Sequence, residues 1–69
     1  SLVVNLKEVR THKGISQTKL AFLTGISRNQ IQLIETGKSI PSVLTALLLA
    51  DSMGVSVSDL FVLRDLSNS

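Results

Sequence analysis

Four glycines divide this chain into short segments, and small polar residues begin those segments. Gly14, Gly25, Gly37 and Gly54 each stand where an apolar pattern stops, which is where helices most readily end. The residues that begin segments are Asn5, Ser16, Ser27, Ser42 and Ser56, whose side-chain oxygens can accept from the free N–H groups of a first helical turn. Asp59 lies three residues after Ser56, at the spacing of a capping box. These signals predict five helices, over about 6–13, 17–24, 28–36, 43–53 and 57–64.

The chain of 69 residues is predicted to form a single all-α domain over residues 1–69, with its core over 5–62. A domain this small buries only about 60% of its unfolded surface. No strand is expected, because Val3-Val4 and the run Val55-Ser56-Val57 are too short to compete with the helical pattern. Pro41 keeps the residue before it out of helical geometry, so residues 37–41 are predicted to form a loop.

Composition excludes several classes of protein. The chain has no cysteine for a disulfide or a thiolate metal site. It has no apolar run of about 18 residues that could cross a membrane, and no basic segment followed by a long apolar stretch, as a signal peptide would have. No cofactor is predicted, and no metal ligands occur at a suitable spacing.

The charges are unevenly distributed along the chain. Residues 1–40 carry six Lys and Arg against two Glu, a net charge of +4, whereas residues 41–69 carry one Arg against three Asp, a net charge of −2. A basic front half and a mildly acidic back half suit a module that presents one face to a polyanion.

The stretch from Gln17 to Gly37 has the pattern of a helix-turn-helix. Gly25 permits a three-residue turn, and Ala21 is small enough for two steeply crossing helices to approach each other. The residues expected to face inward are Leu20, Ala21 and Thr24 on the first of these helices, Ile31 and Ile34 on the second, and Ile26 at the corner. The face left exposed on the second helix is expected to carry Arg28, Asn29, Gln30, Gln32, Leu33 and Thr36.

The sequence resembles the Cro/repressor-type, or xenobiotic-response-element (XRE), helix-turn-helix family of bacterial and phage transcriptional regulators. The resemblance covers about residues 5–62, in register with all five predicted helices. The matching residues are Leu6, Arg10, Gly14, Ser16-Gln17, Leu20-Ala21, Gly25-Ile26-Ser27, Ile31, Ile34-Glu35, Gly37-Lys38, Pro41, Leu49-Ala50, Met53-Gly54-Val55 and Leu60-Phe61. It implies a five-helix lambda-repressor-like domain whose helix-turn-helix, residues 17–36, consists of helices two and three.

In such a domain the third helix lies in the major groove of double-stranded DNA. The resemblance assigns base contacts to Ser27, Arg28, Asn29, Gln32 and Leu33. Arginine can donate two hydrogen bonds to guanine, and Asn or Gln can pair with adenine, so these residue types suit that role. Leu33 has two interpretations: contact with a thymine methyl group, or simple exposure.

Phosphate contacts are expected from residues near the ends of the DNA-facing helices. The resemblance makes Gln17 a phosphate clamp at a helix N-terminus, where free N–H groups favour an anion. It also implies an ion pair between Arg10 and Glu35 that holds the third helix against the first. The remaining phosphate candidates are Ser16, Arg10, Thr36, Lys38 and Ser39, with Lys13 and Lys19 more peripheral.

Several positions that are usually polar in this family are apolar here, namely Phe22, Leu23, Leu44 and Leu48, and Leu63 and Leu66 extend the apolar content. Two interpretations stand: scattered exposed side chains, which are normal, or a surface for a second subunit, a further domain or another protein. The expected dimer surface is helix five with the C-terminal tail, and the helix-four leucines are the second choice.

An enzyme is not expected, because His12 has no nearby acidic partner in sequence and the carboxylates are dispersed. An RNA or single-strand binder would be expected to carry more stacking aromatics than Phe22 and Phe61. The prediction is a homodimeric, sequence-specific transcriptional repressor, bacterial or phage-encoded, that is cytoplasmic and associated with the nucleoid. The alternative is a protein-interaction or antitoxin-type module on the same fold.

Overall fold

A computed structural model describes residues 1–64 of the chain. Five helices follow a short strand and precede a second one, and the predicted five-helix helix-turn-helix class is confirmed. In chain order the elements are β1 (Leu2–Val4), α1 (Leu6–His12), α2 (Gln17–Thr24), α3 (Arg28–Glu35), α4 (Val43–Met53), α5 (Val57–Leu60) and β2 (Phe61–Leu63). The predicted contribution of Leu66 and the C-terminal tail lies outside the described residues.

The prediction that the chain has no strand was wrong, and so was the extension of helix five to residue 64. Helix α5 ends at Leu60, and Phe61 is already extended, with φ −134° and ψ 124°. Strands β1 and β2 pair antiparallel, with Leu2 opposite Leu63 and Val4 opposite Phe61. Each strand is too short to be recognised alone. The pairing exists because the helices between them bring residues 2–4 and 61–63 together.

Three of the predicted serine caps are confirmed. The hydroxyl oxygens of Ser16, Ser27 and Ser42 accept hydrogen bonds from the backbone N–H three residues further on, at 3.0, 3.1 and 3.1 Å respectively. Asn5 precedes α1, but its side chain makes no capping hydrogen bond, so that prediction was wrong. The Asn5 backbone N–H instead donates to the Leu60 carbonyl oxygen at 2.7 Å, which continues the contact between the two strands.

The Asp59 side chain caps the N-terminus of α5. Its carboxylate accepts a hydrogen bond from the Ser56 backbone N–H at 2.9 Å. This hydrogen bond, followed by one from the Ser56 side chain, lowers the pKa of Asp59 below its ordinary value of 3.8. A carboxyl group with a lowered folded-state pKa stabilises the fold above its unfolded pKa, and that contribution is lost as the pH falls through the folded-state value.

Replacing Asp59 with asparagine is therefore expected to make stability less dependent on pH between about pH 5 and pH 2. Thermal melts of both proteins across this range would test the expectation. A stability that depends more steeply on acid pH in the variant would contradict it. Asp51→Asn is the control, because it removes an exposed carboxylate from another helix.

The hydrophobic core lies where the helices converge. Six side chains are fully buried, and Ala50 and Met53 complete the cluster. The six are Leu6, Leu20, Ile31, Ile34, Leu49 and Leu60, so α1 to α5 each contribute at least one. The core therefore fixes α2 and α3 relative to the rest of the domain, and this leaves one face of α3 free.

Candidate nucleic-acid interface

The turn between α2 and α3 is held by local hydrogen bonds. Gly25 takes a left-handed conformation, with φ 75°, and its N–H donates to the Ala21 carbonyl oxygen at 2.9 Å. The Thr24 hydroxyl donates to the Leu20 carbonyl oxygen at 2.8 Å and accepts from the Ile26 N–H at 3.1 Å. A side chain at position 25 would be strained at this φ, so glycine is needed here. The turn consequently sets the direction in which α3 leaves α2.

Helix α3 is divided into a buried face and an exposed face. Ile31 and Ile34 are fully buried, whereas the side chains of Arg28, Asn29 and Gln32 are exposed. Arg28 and Asn29 occupy the first turn, and Gln32 follows one turn later on the same side. One arginine fork and two amides thus face solvent together, and these groups can pair with the major-groove edges of guanine and adenine.

The two remaining predicted base-reading residues are Ser27, which is exposed, and Leu33. The Ser27 hydroxyl caps α3 by accepting from the Gln30 N–H, although its own proton remains available to a ligand. Leu33 is half-buried. Gln30 is also half-buried, and its Nε2 donates to the Ser39 hydroxyl at 3.0 Å. This contact ties α3 to the loop that follows it.

Arg10 and Glu35 pair across α1 and α3. The Arg10 Nε lies 2.6 Å from Glu35 Oε2, and its Nη2 donates to Oε1 at 3.2 Å. Only 9% of the Arg10 side chain and 3% of the Glu35 side chain are exposed. The third guanidinium nitrogen, Nη1, donates to the Ile15 carbonyl oxygen at 2.9 Å. Every nitrogen of the fork thus has a partner within the domain, and the only carboxylate of α3 is neutralised and shielded.

Gln17 links this ion pair to the exposed face of α3. Its Nε2 donates to Glu35 Oε1 at 2.9 Å, and its Oε1 accepts from Arg28 Nε at 3.3 Å. Because Glu35 can only accept, it fixes which end of the Gln17 amide points to Arg28. The resulting chain of contacts runs from Arg10 through Glu35 and Gln17 to Arg28.

Sequence reasoning missed both contacts of Gln17, and it also missed the contact between Gln30 and Ser39. These partners are separated by 18, 11 and 9 residues and lie on different elements. No local pattern signals such a contact, because it depends on how the helices cross.

Most of the predicted phosphate-binding residues lie at the start of α2 or just after the end of α3. Lys38 is exposed. The backbone N–H groups of Lys38 and Ser39 donate to the Leu33 carbonyl oxygen at 2.9 and 3.1 Å, and these two hydrogen bonds cap the end of the helix. The Thr36 hydroxyl donates to the Gln32 carbonyl oxygen. Ser16 is exposed at the start of α2, where it acts as the cap. The cations Lys13 and Lys19 are exposed, and Lys19 lies 5.7 Å from the centre of the Phe22 ring.

The described part of the chain has no group of side chains that could hold a metal ion. Within residues 1–64, no three His, Asp or Glu side chains come together as metal ligands would. In the same residues, every helix is too short or too polar to span a lipid bilayer. His12 is exposed near the end of α1.

Comparisons with known proteins agree on the family. A helix-turn-helix family model matches residues 6–60. The chain is 35% identical over 60 residues to the uncharacterized HTH-type transcriptional regulator YgzD of Bacillus subtilis, covering 87% of this chain and 91% of YgzD. It is 38% identical over 60 residues to the uncharacterized HTH-type transcriptional regulator MJ0272 of Methanocaldococcus jannaschii, with coverage of 87% and 91%.

A solved structure agrees as well. The restriction-modification controller protein C.AhdI from Aeromonas hydrophila superposes with a TM-score of 0.76 and is 36% identical, covering 80% of this chain and 83% of C.AhdI. Fold, sequence and the arrangement of α2 and α3 therefore lead to one conclusion: the chain belongs to the XRE-type helix-turn-helix family of transcriptional regulators.

Proposed function

We propose that the protein is a sequence-specific repressor that binds double-stranded DNA as a homodimer and places α3 in the major groove. Ser27, Arg28, Asn29, Gln32 and Leu33 contact base edges. Gln17, Ser16, Thr36, Lys38 and Ser39 contact phosphates. The role of Arg10 in this proposal is to hold α3 through Glu35, since its guanidinium nitrogens already donate within the domain. Such a protein acts where the chromosome is, in the cytoplasm.

The observation that supports this proposal most strongly is the exposed first turn of α3. Arg28, Asn29 and Gln32 project from a helix whose opposite side is fixed by Ile31 and Ile34 in the core. Because the backbone of this packed helix is already ordered, only its exposed side chains lose freedom on binding, which favours recognition. Because Glu35 is paired with Arg10, this face presents no free carboxylate to repel phosphate groups.

Selection of bound sites from a random pool of duplex DNA tests the proposal directly. We expect a defined, near-palindromic sequence, because a two-fold dimer presents two α3 helices about one turn of DNA apart. Affinity should fall as salt rises, since phosphate contacts release counterions. Failure to enrich any sequence, together with salt-independent binding, would contradict the proposed function.

Replacing Arg28 with alanine is expected to weaken binding to the selected site by about 1–3 kcal/mol and to relax the preference at one base position. The reason is that a bidentate contact between arginine and guanine contributes to affinity only where guanine is present. Titrations of the selected duplex and of single-base variants measure both quantities. An equal loss on all duplexes would show that Arg28 contacts only phosphate.

Lys38→Ala is the matched control for this experiment. Lys38 is an exposed cation beyond the end of α3. If Lys38 contacts phosphate, its replacement should weaken binding to all sequences alike. It should also reduce the slope of log affinity against log salt concentration by about one. The two variants thus separate base recognition from backbone contact.

Replacing Gln17 with alanine is expected to weaken binding to all duplexes without changing base preference. The Gln17 amide has a second N–H available for a phosphate at the start of α2. Its contact with Arg28 is long, at 3.3 Å, and exposed, so its loss should alter Arg28 little. The salt dependence should stay unchanged because glutamine carries no charge. A relaxed preference at the Arg28 position would contradict this and would make Gln17 a positioning residue.

A protein-interaction module is the second candidate, and the exposed apolar side chains favour it. Phe22 and Ile40 are each 80% exposed, and Val43 is 78% exposed. A module that had lost base recognition should bind random duplex and the best selected site equally weakly. Comparing those two affinities at one salt concentration distinguishes the candidates.

A further inference from the structure

The side chain of Gln30 connects α3 to the loop that follows the helix. Its Nε2 donates to the Ser39 hydroxyl oxygen at 3.0 Å, and both residues are half-buried. The Ser39 backbone N–H also donates to the Leu33 carbonyl oxygen at 3.1 Å. Ser39 is therefore held to α3 at two points, once through its backbone and once through its side chain.

The direction of the hydrogen bond from Gln30 decides what the Ser39 hydroxyl can still do. A serine hydroxyl has one proton to donate and two lone pairs that accept. Because the amide NH₂ group of Gln30 donates, it occupies a lone pair of the Ser39 oxygen and leaves the hydroxyl proton available. That proton needs an acceptor, and the oxygens of a DNA phosphate accept hydrogen bonds from serine hydroxyls.

The charges around Ser39 suit an anion. The exposed cation Lys38 directly precedes it. The carboxylate nearest to Ser39 in sequence is that of Glu35, which is paired with Arg10 and only 3% exposed. A phosphate group that approaches the loop therefore meets a cation and a hydroxyl donor, and the neighbouring carboxylate is already neutralised.

We infer that Gln30 is a positioning residue that orients the Ser39 hydroxyl toward one phosphate of the duplex, and this inference rests on the proposed function. Gln30 acts on DNA only through Ser39. Because Gln30 belongs to the helix that carries Arg28 and Gln32, its hydrogen bond holds the loop in a fixed position relative to the base-reading side chains. Phosphate contacts set the register of a protein on the duplex, so this hydrogen bond joins register to base recognition.

Gln32 offers a matched comparison, because it is the same residue type on the same helix. Its side chain is exposed and is a predicted base contact, whereas the Gln30 side chain is half-buried against the loop. Loss of the Gln30 amide should therefore alter a phosphate contact, and loss of the Gln32 amide should alter a base contact.

Gln30→Met tests the inference, with Gln32→Met as its control. Methionine keeps the length of the side chain and removes its N–H groups. Gln30→Met should weaken binding to the selected duplex about three- to tenfold, as expected for one lost hydrogen bond. The base preference and the salt dependence should stay unchanged, because no charge is removed. Gln32→Met should instead relax the preference at one base pair.

A second measurement identifies the phosphate. In a set of duplexes, one phosphate at a time is replaced by a neutral methylphosphonate, and the affinity of each protein for each duplex is measured. We expect one methylphosphonate position that weakens binding of the unmodified chain and of Gln32→Met but loses most of its effect in Gln30→Met and in Ser39→Ala. The double variant Gln30→Met/Ser39→Ala should bind no more weakly than Ser39→Ala, because Gln30 acts through that hydroxyl.

Gln30→Glu keeps the inference testable if Gln30→Met fails to fold. A carboxylate only accepts hydrogen bonds, so it would take the Ser39 proton and direct it away from the duplex. The same methylphosphonate position should lose its effect in this variant.

Three results would overturn the inference: a full set of methylphosphonate effects in the folded Gln30 variants, a changed base preference in Gln30→Met, or a further loss of affinity when Gln30→Met is added to Ser39→Ala. In each of these cases the unmodified chain still binds its selected site, so the proposed function stands. If the unmodified chain selects no site at all, the proposed function fails and the role of Gln30 fails with it.

Discussion

Replacing Arg10 with methionine is expected to lower the free energy of unfolding by about 3–5 kcal/mol. The substitution retains much of the apolar stem but leaves the Glu35 carboxylate, 3% exposed, without its cation. A buried carboxylate that loses its cation costs several kcal/mol, because water is largely excluded and the hydrogen bond from Gln17 Nε2 does not neutralise the charge. Chemical denaturation followed by circular dichroism would measure the change.

The double variant Arg10→Met/Glu35→Gln is the matched control. The neutral amide keeps an oxygen that can accept from Gln17 Nε2 and leaves no buried charge. We therefore expect it to recover most of the stability lost in Arg10→Met. If both variants lost the same stability, packing of the arginine stem and its bond to the Ile15 carbonyl oxygen would be the cause, and not the charge.

The second large effect is expected from Leu20→Ala, which should cost about 2–5 kcal/mol. Leu20 is fully buried where α2 meets the core. Truncation removes apolar contacts and leaves a cavity between elements that cannot close completely. Since small domains have a free energy of unfolding of only about 5 kcal/mol or a little more, the variant should be partly unfolded at physiological temperature.

Phe22→Ala, on the same helix, is the control for this substitution. Phe22 is 80% exposed, and the Lys19 ammonium lies 5.7 Å from the centre of its ring. Its truncation should change stability by no more than about 0.5 kcal/mol. Equal losses from the two variants would show that α2 packs through a different face from the one described.

Much of the helical architecture could be predicted from residues close together in sequence. Ser16, Ser27 and Ser42 cap the helices that they were expected to cap, and α2 and α4 have the predicted bounds. Caps and left-handed turns involve groups within four residues of each other, so a local pattern determines them. The base-reading residues followed from the family resemblance, and their contacts with DNA stay a prediction.

The strand pair and the polar network could not be predicted in the same way. Leu2 meets Leu63, and Gln17 meets Glu35 and Arg28, only after five helices have packed. A strand of three residues has no detectable alternation of its own.

The sequence by itself determined where the helices start, where α2 and α4 stop, which side of α3 is apolar, and that α2 and α3 are joined by a short turn at Gly25. Tertiary structure alone decided that residues 2–4 and 61–63 pair as strands, that Gln17 bridges Glu35 to Arg28, and which apolar side chains stay uncovered. The physical reason is one of range. Capping and helical periodicity act between neighbours along the chain, whereas burial and pairing depend on groups that become neighbours only in the folded domain.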